Sequence, residues 1–516
     1  MRNLERTLLT ILRHHLDARE IGADDDFYAL GGDSIVALRV VADATSSGIP
    51  IELRDVLFHP TARGLAAVAA DRAQPATTAA ASHEPFDLLD PYDRALVPAG
   101  VRDAWPASAL QVGLIYLAAA ARDPSLYQDR IGLELTGTFD EARFAAALAE
   151  LCQRHDALQS SFDLGSFTEP VQLVWSAVQS PLTVERATSP DAVVRMRAAR
   201  QTESMDLTCA PALHCHVVAL PGSCHVMLTI HHAIIDGWSL ARLVLELVVL
   251  YQSALAGRPA HLPVPPAGGY QEFLALERAA GQDGAAADFW QAEVDVPPLL
   301  FDRGRFAGPT DPTGTVTFDV DPPMLIRLRA AARRIGVPLK SLALGCHAAA
   351  LARWTGRDRD VVLGLTVNGR PERPGADLLV GLFLNSVPVR LSTVTGDLTA
   401  MGRAALAAEQ RILPHRRFPL ARIEQRLGRA AFDVLFNFTH FHVYRELAQL
   451  DGLRAGSWWS FDKTSFPMLV DFMIDARGFG TGVKVAYDPA MLAPARIEDY
   501  ARHYREALCA AAGDGR

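Results

Sequence analysis

Apolar side chains at Leu4, Leu8, Ile11, Leu12 and Leu16 recur three or four positions apart, which gathers them on one face of a helix. An acidic turn, Asp24-Asp25-Asp26, interrupts the pattern, and a second helix is predicted from Ser34 with Ile35, Leu38 and Val41 on its apolar side. A short third covers Leu53 to Phe58, and after Pro60 the Thr61 hydroxyl is placed to cap a last helix through Leu65 and Val68. Together these make a small all-α four-helix bundle, expected over residues 1–73. The next stretch, QPATTAAASHEPFDLLDPYDRALVPAG, is rich in Ala, Thr and Pro with weak periodicity, so residues 74–103 are read as a linker laid on a domain surface.

Beyond residue 104 the pattern switches to alternating strands and helices. Ile131, Leu133 and Leu135 alternate as in a half-buried strand, and Phe144, Leu148 and Leu151 follow at helical spacing. His225 to Ile230 is a short apolar strand, and Leu240 to Leu255 a long apolar helix stopped by Gly257. The Pro/Gly-rich LPVPPAGGY separates this from a second round: helices at Met324–Arg334 and Lys340–Trp354, strands in DVVLGLTV, NSVPVRL, DVLFNFTHF, MLVDFMI and VKVAYD, and a final helix from about Ala493. Two α/β lobes, residues 104–265 and 266–516, are the economical reading of a multidomain chain.

A length of 516 residues, 49% of them hydrophobic and 21% charged, fits several buried cores. The net charge of −9 and the lack of a basic run argue against a nucleic-acid partner. The start, MRNLERTLLTILRHHLDARE, lacks a small-residue cleavage site and no uninterrupted apolar run is of bilayer length, so a cytoplasmic protein with no membrane partner is expected. Cys152, Cys209, Cys215, Cys224, Cys346 and Cys509 form no CxxC pair, which points to reduced thiols rather than a zinc knuckle or disulfide framework.

Two stretches carry chemistry. In LGGDSI (Leu30 to Ile35) two glycines let the chain turn sharply into Ser34, whose hydroxyl either caps the helix or presents itself where free N–H groups favour a phosphate. In IHHAIIDGWSL (Ile230 to Leu240) three readings compete: a metal site, a capped helix beside a core strand, or a catalytic centre. His214, His216 and His225 are nearby metal candidates, but adjacent histidines on an extended segment point to opposite sides and no spacing here matches a helical zinc pair, so no metal is expected. One imidazole at a strand end, with a proton affinity near neutral pH, suits a base. His232 could orient or deprotonate an amine, and backbone N–H groups near Gly237 and Trp238 could face an oxyanion.

DDDFYALGGDSIVALRVV followed by IPIELRDVLFHPTARGLAA resembles a carrier domain of nonribosomal peptide synthetases across residues 1–73. The resemblance implies that Ser34 bears a 4′-phosphopantetheine arm, added by a phosphopantetheinyl transferase, whose thiol holds an aminoacyl or peptidyl thioester. Asp33 stands where many carriers have His or Asn, a form often associated with a downstream epimerization domain.

HHAIIDGWS resembles the HHxxxDG signature of condensation domains, two-lobed relatives of chloramphenicol acetyltransferase. Other family stretches follow in order: SALQVGLIYL (Ser108 to Leu117), RHDALQSSF (Arg154 to Phe162), YQEF (Tyr270 to Phe273), TVNGRPERPG with VGLFLNSVPVR (Thr366 to Arg390), and HRRFPLARI (His415 to Ile423). Asp156 and Gln159 replace the usual Glu and Arg of the second stretch, and the last motif, usually RDxSRNPL, is barely recognisable around FDVLFNF. The resemblance implies that His232 is tied to activity, that Asp236 is structural and paired with Arg370, and that His231 supports the backbone. It implies amide-bond formation between the carrier-bound donor and an amine on a downstream acceptor carrier, with an upstream adenylation domain as a further partner and the chain a piece of a larger synthetase. An epimerization domain shares the fold and motif, but Trp238, VNGRP and VGLFLNSVPVR favour condensation; an intact His232 speaks against a non-catalytic docking module.

Overall fold

The computed structural model describes residues 2–16, 20–28, 30–32, 34–72, 84–121, 123, 125–201, 203–294, 313–356, 360–392, 397–440, 455–474 and 481–513. Asp33 and residues 74–83 of the predicted linker lie outside them.

Helices Arg2–Leu16, Ser34–Ser46, Leu53–Phe58 and Ala62–Asp71 close around buried Leu8, Leu12, Phe27, Val36, Val56 and Leu65. Thr61 accepts from the Gly64 N–H at 3.0 Å, satisfying one donor that a helix start leaves open. The turn into Ser34 needs its glycines: Gly31 sits at φ +97°, and a Cβ on Gly32 would lie 2.4 Å from the Phe27 ring.

Residues 84–103 lie against the following domain, as a linker laid on a domain surface does, but they carry regular structure of their own. Asp90 caps a helix, Pro91–Leu96, by accepting from the Asp93 N–H at 2.9 Å, and proline stands at the first turn where its missing N–H costs nothing. Asp93 is itself buried and accepts from the Thr168 N–H at 3.0 Å, which anchors this helix to the following domain. Val101 to Asp103 already belong to a strand. A helix of 6 residues is too short for periodicity to register it.

Fourteen strands among the described residues form three sheets. The smallest has β1 (Val101–Pro106) and β3 (Ser160–Asp163) flanking β4 (Val171–Trp175), all antiparallel. The second runs β12 (Ala455–Phe461), β2 (Gln128–Thr136), β7 (Ser223–His231), β6 (Leu213–Leu220), β5 (Leu182–Arg186), with β5 and β6 parallel. The third runs β10 (Leu384–Leu391), β9 (Val361–Asn368), β11 (Val434–His440), β13 (Met468–Ile474), β14 (Gly482–Tyr487), β8 (Gly314–Asp319).

The lobes therefore do not divide at residue 265. β12 comes from the C-terminal half yet pairs with β2 in the N-terminal lobe's sheet, and Gly132 makes room for it: a Cβ there would meet the Trp459 indole at 2.0 Å. The helix after β7 spans Gly237–Leu255, three residues earlier than its apolar pattern indicates, because Asp236 caps it. That helix is long and apolar enough to cross a bilayer, but it is a core helix holding the buried pair Arg242 and Glu246 at 2.8 Å.

Candidate active site

β7 ends at His231, and alternation along the strand sends the two histidines to different environments. His231 is 2% exposed and its Nδ1 accepts from the Ala233 N–H at 3.1 Å. Burial, with the neighbouring His232 charge, pushes its pKa down to about 3, so it is a neutral brace for the turn. His232 keeps 26% of its side chain exposed. Its N–H donates to the Tyr127 carbonyl at 2.7 Å, and Tyr127 holds a left-handed φ of 59°, a conformation that costs a non-glycine residue about 1–3 kcal/mol.

The His232 ring is oriented from β2. Its Nδ1 lies 2.7 Å from Asp129 Oδ2, a contact set by the register that pairs Gln128 with His231. Burial alone would lower the His232 pKa; the charge and hydrogen bond of Asp129, with the charges of Asp236 and Asp462 behind it, outweigh burial and raise it. Asp462 follows β12 and is itself paired with Lys484 Nζ at 2.5 Å.

Among the described residues, Asp236 makes its hydrogen bonds to Ser239, Arg370 and Phe383 rather than to the imidazole, and it holds the lobes together. Its Oδ1 accepts from the Ser239 N–H at 2.7 Å and Arg370 Nη2 at 3.0 Å, and its Oδ2 from Arg370 Nη1 at 2.7 Å and the Phe383 N–H at 3.3 Å. Burial would raise its pKa, but the Arg370 guanidinium wins and holds it low. Ser239 Oγ extends the seam, donating to the Gly381 carbonyl at 2.9 Å while accepting from Arg370 Nη2 at 2.9 Å. Arg370 also lies over the Phe383 ring, 4.4 Å from its centroid.

The helix start faces the N-terminal bundle. Trp238 Nε1 donates to the Asp377 carbonyl at 2.9 Å, Arg39 of the bundle pairs with the Asp377 carboxylate at 2.7 Å, and the Arg39 guanidinium stands 5.7 Å from the Trp238 ring centroid. The Leu53 N–H reaches Glu372 at 3.3 Å, and Gln410 reaches the Leu57 carbonyl at 3.2 Å. Between the two units lies a crevice of about 250 Å³ that Gly31, Gly32 and Ile35 line from one side and Gly237, Trp238 and Asn368 from the other. Asn368 Nδ2 is buried there without a hydrogen-bond partner. An extended arm with amide carbonyls fits such a crevice, since it would supply the acceptor that Asn368 lacks. His232 is not among the residues lining it.

A helical bundle with a serine at a glycine-turned helix start, joined to two α/β lobes stitched by an Asp–Arg pair beside a strand-end histidine, defines a carrier fused to a chloramphenicol acetyltransferase-like domain. The chain belongs to the condensation domain family of nonribosomal peptide synthetases: residues 101–516 match the family described as Condensation domain, and residues 4–69 the family described as Phosphopantetheine attachment site. It is 36% identical to the AMB antimetabolite synthetase AmbE of Pseudomonas aeruginosa over 99% of its own length and 24% of that protein's. It is 26% identical to tyrocidine synthase 3 of Brevibacillus parabrevis over 98% of its own length and 8% of that protein's. The chain thus spans a quarter or less of the length of these curated relatives. The condensation domain of the Monacolin K polyketide synthase MokA shares its fold, with a TM-score of 0.67 at 18% identity over 80% of this chain and 98% of that one.

Sequence reading named His231, His232, Asp236, Gly237, Trp238 and Arg370, and the structure gathers these around one strand–loop–helix junction. It did not find Asp129, Asn368 or the carrier contacts of Arg39. Asp129 is the second residue of a strand read only for its apolar positions and lies in its polar start, Gln128-Asp129-Arg130, where no local pattern marks it.

Proposed function

We propose that this chain holds a donor aminoacyl or peptidyl group as a thioester at Ser34 and that its two-lobed domain acts as an acyltransferase, joining that group to an amine presented by a downstream acceptor carrier. The observation that carries this reading is the half-open His232 ring held by Asp129. A carboxylate can only accept, so the proton of neutral His232 resides on Nδ1 and the lone pair on Nε2 is left for the amine. Attack forms the C–N bond as the C–S bond breaks; the amine gives up one proton, which Nε2 can accept or direct, and the thiolate leaving group takes up one.

When attached, 4′-phosphopantetheine supplies the thiol that carries the acyl group. Asn368 would hold it in the crevice. Gly237 and Trp238 open a 19-residue helix, whose first N–H groups and positive dipole end favour the developing oxyanion. Asp236, neutralised by Arg370, fixes that helix start and takes no proton. The partners this implies are a phosphopantetheinyl transferase, an adenylation domain and the acceptor carrier, in the cytoplasm.

The test is to load the donor with a transferase and an aminoacyl coenzyme A, add a loaded acceptor carrier, and weigh the carrier-bound products. A longer peptide on the acceptor is expected. Ser34→Ala should abolish loading, whereas His232→Ala should load normally and form no product. An unchanged mass with inverted α-carbon would instead make this an epimerization domain, and wild-type product from His232→Ala would remove the assigned site.

A further inference from the structure

The polar groups on the far part of the N-terminal lobe's sheet have no place in that chemistry. His214 and His216 are two apart on β6 and so share one face of the sheet. Glu203, after the helix Asp191–Arg200, reaches toward both: its Oε1 is 3.8 Å from His214 Nδ1 and its Oε2 is 3.7 Å from His216 Nε2. These separations are too long for hydrogen bonds. His214 Nδ1, His216 Nε2 and Glu203 Oε2 are all buried with no hydrogen-bond partner, although the three ligand atoms lie within 4.8 Å of one another.

Three buried ligand atoms that converge without a hydrogen bond between them describe the inner side of a cation site. We propose that Glu203, His214 and His216 bind one Zn²⁺ ion, with solvent completing a tetrahedral set. Bonds of about 2.0–2.2 Å at tetrahedral angles require neighbouring ligand atoms about 3.4 Å apart. Glu203 Oε2 and His216 Nε2, 3.7 Å apart, need to close by only a few tenths of an ångström, and one ligand atom from each of the three residues already lies within 4.8 Å of the others. Two imidazoles and one carboxylate are a donor set suited to zinc rather than to calcium or magnesium.

The surroundings are consistent with this. Arg200 Nη1 donates to Glu203 Oε1 at 2.9 Å, which orients the carboxylate and leaves Oε2 for the ion. Arg200, and the buried Arg130 that lies across the sheet from His214 through Thr229, oppose a further positive charge; micromolar affinity is therefore expected. The ion would tie the segment after Asp191–Arg200 to β6, the hairpin partner of the strand that ends at His231.

Titration calorimetry of the chelator-treated full chain with ZnCl₂ tests the site. One equivalent should bind and raise the unfolding midpoint, and both effects should be lost in His214→Gln and in His216→Gln. Cys209 is an exposed thiol in the same segment, so Cys209→Ser should bind as the unaltered chain does, and the Co²⁺ complex should lack thiolate charge-transfer absorbance. His214 is 35% exposed, which keeps its substitution compatible with folding, and an unchanged far-UV spectrum of that variant confirms it. No binding to the unaltered chain, binding that survives both histidine substitutions, or loss of binding in Cys209→Ser would each overturn the proposal.

Discussion

Replacing Asp236 by asparagine separates a structural carboxylate from a catalytic one. In the native seam each Asp236 oxygen receives two donors, from Ser239 N–H and Arg370 Nη2 on one side and from Arg370 Nη1 and Phe383 N–H on the other. An asparagine keeps one oxygen; whichever way it turns, its NH₂ faces two donors and bonds neither. Arg370, 1% exposed, is left as an uncompensated buried charge. Breaking a buried pair from one side costs about 3–5 kcal/mol, so the folded-to-unfolded ratio of the seam should fall roughly a hundredfold or more.

Denaturant unfolding followed by Trp238 quenching or proteolysis at the lobe junction measures that loss, and carrier-bound product formation measures activity on the same preparation. The double variant Asp236→Leu/Arg370→Met removes both charges and should recover most of the stability lost by either single change, since paired apolar replacements of buried ions are often neutral. A stable Asp236→Asn protein with product formation reduced a hundredfold would refute the structural reading and make the carboxylate a participant in the chemistry.

Asp129→Asn should slow product formation roughly 10²-fold and move the rising limb of the pH–rate profile downward, because the carboxylate is what raises the His232 pKa; an unshifted limb counts against Asp129. The same linkage has a sign for stability: the His232–Asp129 interaction contributes fully below pH 6.5, the ordinary histidine pKa, and is lost as pH rises through the higher folded value. Asp471, half-buried on β13 and near Asp462, has its pKa raised by desolvation to about 6 from an ordinary 3.8, a displacement worth roughly 3 kcal/mol. Asp471→Asn should therefore stabilise the chain above pH 6 and lose that advantage toward pH 4, since Thr439 Oγ1 can still donate to the amide oxygen, 2.9 Å away in the native pair. Arg39→Ala should weaken carrier docking by about 1 kcal/mol, seen as a transfer rate up to roughly fivefold slower and less sensitive to salt; an unchanged salt dependence would dismiss the Arg39–Asp377 pair.

What could be read from the chain was whatever is local. Helical spacing located the carrier helices, apolar alternation located β2, a short apolar run located β7, and the capping role of Asp236 follows from its place before Gly237. What could not be read depends on separation in sequence. β12 joins the N-terminal sheet across more than three hundred residues, with Trp459 opposite Gly132, and no short-range pattern reports that pairing. Asp129 reaches His232 through a strand register 103 residues apart. The Asp236–Arg370 pair spans 134 residues, and it was named only because a family resemblance carried it.

The three carboxylates whose charges raise the His232 pKa are distinguished by their partners. Asp236 is bound in a bidentate pair to Arg370, and Asp462 is bound to Lys484, so each carries a cation that offsets its field at the ring. Asp129 instead bonds the imidazole itself, 15% exposed beside a ring that is 26% exposed. An electrostatic network can therefore supply structure and chemistry from like residues, because the two fully paired acids hold lobes and strands while the third fixes a tautomer. The consequence is unequal sensitivity. Substitution of Arg370 or Lys484 frees a negative charge near His232 and should raise its pKa further, moving the pH–rate limb upward, opposite to the shift expected from Asp129→Asn. Opposite displacements from variants around one ring would be hard to obtain if His232 were only a packed strand-end residue, and equal displacements would rule this arrangement out.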